Sequence, residues 1–208
     1  TSWGILYYAF PVLTPAITTD TGWSTSVIVA AFSLSQLVAA VVGIPVGRIL
    51  DRHGPRWVMT AGSVIAAPAL MVVATSHSVV VFYLGWIVAG TAMGAVLYPP
   101  AFAALTRWWG TDRIRALMIL TLAAGLASTV FAPLTALLSN QSDWRRTYLV
   151  LAAILLVVTV PGHLFGLRGR WPSVAAPQLD SPAVMGRADV VRSRPFLALT
   201  ASLSLAAF

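Results

Sequence analysis

The chain has 208 residues, of which 58% are hydrophobic and only 9% charged, with a net charge of +7 and a mean hydropathy of +0.84. Soluble globular chains carry about a quarter charged residues, so too little polar surface is present here to cover a water-soluble fold. There is no cysteine, which excludes disulfides, thiolate metal sites and cysteine nucleophiles within the chain. The basic residues are all arginine, set in short clusters between apolar runs, a pattern that fits membrane topology better than nucleic-acid binding.

In chain order, the first apolar segment runs from Trp3 to Thr18, the second from Val27 to Leu50 and the third from Trp57 to Thr75. The fourth runs from Val79 to Leu105, the fifth from Ala116 to Leu138 and the sixth from Thr147 to Leu167, and a seventh begins at Phe196. About 20 residues at 1.5 Å each cross the ~30 Å hydrocarbon core, and continuous runs of that length read as helices rather than barrel strands. Thr111 and Asp112 are candidate caps for the fifth helix, Ser142 or Asp143 for the sixth, and Ser76 and Ser78 bracket a tight turn before the fourth. The expected organisation is a bundle over 1–167, a polar arginine-rich linker over 168–195, and the start of a further helix over 196–208. Thr1 is not methionine and both ends fall in apolar runs, so the chain reads as a piece of a longer protein.

Arginine placement sets the expected orientation. Arg48, Arg52, Arg56, Arg107, Arg113, Arg115, Arg168, Arg170, Arg187, Arg192 and Arg194 fall on one side, and only Arg145 and Arg146 on the other. The positive-inside rule places the first group, and with it the amino terminus, in the cytoplasm. Trp23, Trp57, Trp108, Trp109, Trp144 and Trp171 lie at segment ends, where amphipathic rings prefer to sit. Trp86 lies inside the fourth segment, where packing is the simplest role. Arginine-only basic usage points to a bacterial source, hence to a bacterial inner membrane.

The second connection reads Gly47-Arg48-Ile49-Leu50-Asp51-Arg52-His53-Gly54-Pro55-Arg56. An aspartate at a helix carboxyl end is unfavourable by roughly 0.3–1 kcal/mol, so Asp51 calls for compensation, and Arg52 and Arg56 are the nearest cations. Gly47 removes a side chain one turn earlier and would let another helix approach, and Gly54 permits a turn with positive φ. The string resembles the signature loop of the major facilitator superfamily, G-x-x-x-D-R-x-G-x-[RK], and sits between the second and third helices as it does there. The resemblance extends along the whole chain. It implies the amino-terminal six-helix half of a twelve-helix, all-α transporter. It also implies a gating latch in which Asp51 is the latch carboxylate and Arg52 and Arg56 are its partners.

Asp20-Thr21-Gly22-Trp23-Ser24, Leu97-Tyr98-Pro99-Pro100, Asp143-Trp144-Arg145-Arg146 and Arg192-Ser193-Arg194-Pro195-Phe196 are similar to stretches of bacterial monocarboxylate and oxalate–formate transporters. Tyr8-Ala9-Phe10-Pro11-Val12 is similar to the start of monocarboxylate carriers, except that Val12 stands where the animal proteins have lysine. Trp86 before Gly90 replaces the arginine of drug–proton antiporters, and Ala132 before Pro133 breaks their G-x-x-x-G-P pattern. The resemblance therefore implies secondary transport of a small organic solute, such as a carboxylate, by alternating access, with no enzymatic activity.

No ionisable residue falls near mid-membrane; Asp51 and His163 lie toward the cytoplasmic ends, and His163 reads as a snorkelling interfacial residue. Family geometry puts the first and fourth helices against the solute path, making Tyr8 and Tyr98, then Gln36 and Ser128, the candidate contacts, with interhelical packing as their alternative role. Gly43-x-x-x-Gly47 and Gly90-x-x-x-Gly94 read as small-residue seams. The alternatives are a receptor of the same topology or an intramembrane hydrolase using Ser128 and His163. Depth along the helices separates that pair by roughly 12 Å, against the ~3 Å a nucleophile and base require. The expected partners are the lipid bilayer, a small-molecule substrate and the carboxyl-terminal half of the same protein, with no nucleic acid, cofactor or metal.

Overall fold

The computed structural model describes residues 1–172, and these contain helices and short turns with no strand. A π-helical turn (Gly4–Tyr8) runs into α1 (Ala9–Thr21), followed by α2 (Thr25–His53), α3 (Pro55–Thr75) and α4 (Val79–Val96). After a break come α5 (Tyr98–Trp109), a 3₁₀ turn (Gly110–Asp112), α6 (Arg113–Gln141), α7 (Trp144–Ile154), a second π-helical turn (Leu155–Thr159) and α8 (Val160–Gly166). Four continuous helical stretches are long and apolar enough to cross a membrane: Thr25–His53, Pro55–Thr75, Val79–Gln141 and Trp144–Gly166. The third spans 63 residues and turns back at Gly110–Asp112, so it crosses twice. The all-α membrane architecture expected from the sequence is the one adopted. The linker beyond residue 172 and the segment 196–208 lie outside the described residues.

Helix ends follow local chemistry. Ser24, Ser78 and Asp143 each accept a bond from the backbone N–H three residues on, capping α2, α4 and α7. The expected cap on α6 is absent: Asp112 makes no side-chain cap bond, because the 3₁₀ turn already pairs the Arg113 amide with the Gly110 carbonyl. The fourth segment is not one helix. Leu97 turns extended (φ −85°, ψ −160°), because Pro99 and Pro100 lack the N–H that the carbonyls of Ala95 and Val96 need, and their rings clash with the preceding turn. The two π-helical turns have the same origin: Pro11 and Pro161 each press on the carbonyl four residues back, at Tyr7 and Val157, inside the widened turn.

The core lies where α1–α4 and α7 meet. Phe10 and Phe32 stack at 4.2 Å, and Trp86 meets both edge-on at 5.2 Å. Trp86, Phe82, Tyr148 and Leu151 are completely buried, so Trp86 is a packing residue. The Gly90–Gly94 seam of α4 lies directly on the backbone of α2. A Cβ on Gly90 would collide with the Ser35 carbonyl oxygen, and one on Gly94 would sit 2.9 Å from the Ala39 oxygen. Outward, Leu37, Val41 and Ile44 on α2 and Leu122, Leu126 and Val130 on α6 are each more than half exposed. Water would not tolerate that surface, but lipid or a second apolar body does.

The two arginines on the sparsely charged end are not both idle. Arg145 bonds the carbonyls of Ala74 (2.9 Å) and Ser76 (2.5 Å) at the end of α3 and lies 3.4 Å from Asp20. The Trp144 indole donates to the same Asp20 carboxylate at 2.9 Å. The end of α1, the start of α7 and the end of α3 are thereby tied together, with the guanidinium serving α3 as a C-cap.

Candidate functional site

Two regions gather the candidate residues. The first is the loop between α2 and α3. Asp51 sits in the last turn of α2 with a largely exposed carboxylate (71%). Its partner is Arg107, which ends α5: one guanidinium nitrogen lies 3.9 Å from the carboxylate and donates to the Asp51 carbonyl at 3.0 Å. This corrects the expected pairing. Arg56, at the start of α3, turns away to donate to the Leu164 carbonyl at 2.9 Å and stacks over Trp57. Arg52 makes no ion pair among the described residues. The α5 end supplies the cation because it finishes beside the α2 end, whereas the turn at Gly54 carries Arg56 toward α8.

Gly54 has φ +80°, and a Cβ there would also press on the Trp171 ring at 3.2 Å. Trp171 closes the loop from above. Its indole donates to the Asp51 carbonyl at 3.1 Å, Arg107 stacks on it at 4.5 Å, and Trp108 meets it edge-on at 5.8 Å while donating to the Arg170 carbonyl. The segment 168–171 is thus stapled onto the loop, a contact the reading of Trp108 and Trp171 as interfacial anchors missed. Trp171→Ala removes a hydrogen bond and a cation–π contact worth together about 1–2 kcal/mol. Roughly tenfold faster amide exchange is expected over 168–171 by mass spectrometry, and unchanged exchange would contradict the staple.

Gly47 behaves unlike the other seam residues. No heavy atom of the described residues lies within 4 Å of where its Cβ would stand, and the same is true of Gly43. α4 crosses α2 at Ser35–Gly43, before the helix reaches Gly47, so the close approach expected at Gly47 is not made within this bundle.

The second region surrounds the α4–α5 break. Trp3 packs 4.5 Å from Tyr98, 5.2 Å from Tyr7 and 6.3 Å from Tyr8. Trp3, Gln36 and Tyr98 line a cavity of about 540 Å³ floored by Ala39, Ala40 and Gly94. The Gln36 amide donates to Ser35 Oγ and to the Met93 sulfur, which fixes its orientation. Tyr8, Gln36 and Tyr98 are brought together, with Trp3 as an aromatic neighbour the sequence did not single out. Ser128 stands apart: its hydroxyl bonds back to the Gly125 carbonyl at 3.1 Å on an exposed face of α6. A second cavity, of about 390 Å³, lies beyond Trp3 and Tyr98 and reaches Val158, Thr159 and His163.

His163 does not snorkel. Side chains of a helix lean toward its amino end, which from α8 means toward the membrane interior. The ring reaches α3, with Nδ1 2.8 Å from Ser63 Oγ and 3.2 Å from the Met59 carbonyl. The serine beside His163 is therefore Ser63, which is fully buried, and not Ser128.

A family model described as Major Facilitator Superfamily matches residues 1–208. Monocarboxylate transporter 13 of Bos taurus is 29% identical over 168 residues, covering 78% of this chain and 38% of that protein. Monocarboxylate transporter 11 of Mus musculus is 31% identical over 146 residues, 70% of this chain and 31% of the relative. The uncharacterized MFS-type transporter YcxA of Bacillus subtilis (strain 168) is 27% identical over 148 residues, 69% of this chain and 35% of the relative. The chain thus spans about a third of the length of these curated relatives.

Proposed function

This chain belongs to the Major Facilitator Superfamily, and from that premise we propose that the full-length protein carries a small organic solute, a monocarboxylate foremost, across a bacterial inner membrane by alternating access. The chain supplies one half of the carrier, with its amino terminus cytoplasmic; a second half completes the solute path, and the two rock about a site near mid-depth. The observation that carries this reading is the cavity bounded by Trp3, Gln36 and Tyr98 at a broken helix. Gln36 lies about 4.5 Å from the middle of α2, and Tyr98 about 6 Å from the middle of the broken Val79–Trp109 crossing, at 1.5 Å per residue. A mostly apolar cleft with a few oriented polar groups is the usual form of a small-molecule site, and discontinuous helices near mid-depth are where carriers hold their solutes. The carboxylate preference draws on the relatives' names.

The loop at Asp51 is the gate in this reading. Gly47 offers a bare strip of α2, and the Asp51–Arg107 pair beside it presents a charged latch to the second half. The test is uptake of radiolabelled lactate and pyruvate by proteoliposomes holding the full-length protein. Saturable uptake above protein-free vesicles is expected. Uptake of no monocarboxylate while another solute class is carried would remove the substrate assignment, and no carriage of any solute would remove the transporter reading.

A further inference from the structure

We propose that the cleft between α5 and α6 binds one anionic phospholipid, with its phosphate on Arg115, its headgroup shared with Arg170 across Trp109, and an acyl chain lying along α6. The cleft has no lining residue in common with the cavity at the α4–α5 break. The inference rests on the chain's place in a membrane. Only the choice of leaflet, the cytoplasmic one, rests on the orientation proposed above.

The shape comes from small side chains on one stripe of α6. The turn Gly110–Asp112 joins α5 to α6 and sets the two helices side by side. Leu105 and Trp109 of α5 face Ala116, Ile119 and Ala123 of α6 across a cavity of about 550 Å³. Arg115, Ile119 and Ala123 follow at intervals of four, and Ala116 lies three before Ile119, so these residues share one face of the helix. The stripe is ordered by depth. Asp112 and Arg115 stand at its mouth, and from Ala116 to Ala123, about 10 Å at 1.5 Å per residue, its wall is apolar. Trp109 is 50% exposed at the rim, where an amphipathic ring sits at a membrane surface. Ile119 on the wall and Met118 and Leu122 beside it are each at least 60% exposed, so the cleft borders surface that hydrocarbon covers. A small polar ligand would leave the deep end unfilled, whereas an amphiphile suits both ends.

Charge complementarity selects the headgroup. Arg115 and Arg170 make no ion pair among the described residues. Trp109 lines this cleft and also a smaller cavity of about 280 Å³ that reaches Gly169 and Arg170, so a cation stands on each side of the ring. A guanidinium matches phosphate oxygens with parallel N–H donors. Asp112 is the one carboxylate on the lining, and it lies beyond ion-pair distance of Arg115. A headgroup bearing hydroxyls lets Asp112 accept a hydrogen bond while Arg115 donates to the phosphate, which makes phosphatidylglycerol the fitting lipid. Phosphatidylcholine brings a further cation to a basic rim and has no hydroxyl for Asp112.

The experiment is native mass spectrometry of the full-length protein in detergent, titrated with phosphatidylglycerol or phosphatidylcholine of equal chain length. The first phosphatidylglycerol is expected to bind about tenfold tighter or more, since each arginine near an anionic lipid is worth roughly fivefold. Arg115→Gln and Arg170→Gln should each cut that preference about fivefold. Arg113→Gln removes the same charge two positions away, outside the lining, and should change the preference less than about twofold, being screened by solvent. Ala123→Leu fills the apolar end and should weaken phosphatidylglycerol binding. Millimolar glycerol phosphate or pyruvate, which carry the anion without the chain, should not compete. Equal losses in Arg113→Gln and Arg115→Gln would reveal a diffuse basic surface and overturn the site. So would an absence of preference between the two lipids, while competition by either soluble anion would make the cleft an anion site and not a lipid site. None of these readouts involves transport, so the function proposed above stands or falls separately.

Discussion

Gly90→Leu is expected to destroy the bundle. The glycine Cα faces the α2 backbone, and an added side chain meets the Cα and carbonyl carbon of Ser35 at 2.9 and 3.0 Å as well as its oxygen. These are main-chain atoms in the middle of a long helix, and no rotamer change moves them aside. Overpacking a core costs typically 1–3 kcal/mol when side chains can yield; here the two helices must separate, so a loss of about 3 kcal/mol or more is expected. The displaced surfaces include the Phe10, Phe32 and Trp86 cluster, which spans α1, α2 and α4. In detergent, the variant should lose its monodisperse size-exclusion peak, or melt far below the wild type. Gly43→Leu is the control, with open space at its Cβ, and should elute as the wild type does. If Gly90→Leu were equally stable, the α2–α4 packing would be wrong.

Gly47→Leu should do the reverse, sparing the fold and stopping transport. Nothing among the described residues lies within 4 Å of its Cβ, and leucine is the better helix former by roughly 0.5–1 kcal/mol. Melting temperature should therefore hold or rise slightly. If the second half closes against this strip of α2, a leucine there blocks closure, and uptake should drop about tenfold or more, a bias of at least ~1.4 kcal/mol between the two states. Asp51→Asn probes the same latch without bulk. It leaves the Arg107 bond to the Asp51 carbonyl and removes only an exposed ion pair, worth about 0–1 kcal/mol to stability. A substantial loss of uptake with an unchanged melting temperature is expected. Full transport by both variants would leave the loop a topology signal and nothing more.

The contrast between these two glycines shows what the sequence could and could not convey. Both stand in G-x-x-x-G strings, and the string alone gives them the same meaning. Only the crossing point of α4 on α2 separates them. Segment positions, the turn at Ser76–Ser78, the cap at Asp143 and the positive φ of Gly54 are local properties, and they were readable, although the sequence reading did not name Ser78 as a cap. The break at Leu97 was hidden, because hydropathy runs unbroken through it, although the Pro99-Pro100 pair carried the signal. The partner of Asp51 was misplaced because sequence distance favoured Arg52 and Arg56 over an arginine 56 positions away. His163 looked interfacial by its distance from the helix end; the direction in which helical side chains lean, applied to α8, would have pointed it inward. Ser128 was chosen for its depth, but depth says nothing about which face of α6 it occupies. Tyr8 and Tyr98 were chosen on helix identity and Gln36 only as a second choice among polar residues; Tyr8 and Tyr98 both pack near Trp3, and Gln36 lines one cavity with Trp3 and Tyr98.

The account turns on the cavity at the α4–α5 break being reached in turn from each side of the membrane. Ala40 lines that cavity and is small, so a single cysteine at Ala40→Cys, in a cysteine-free background of the full-length protein, reports on it with little disturbance. A membrane-impermeant maleimide added to oriented vesicles should label it from either face, more slowly when pyruvate is present. Labelling from one face only, under every condition and with no effect of any solute, would contradict alternating access.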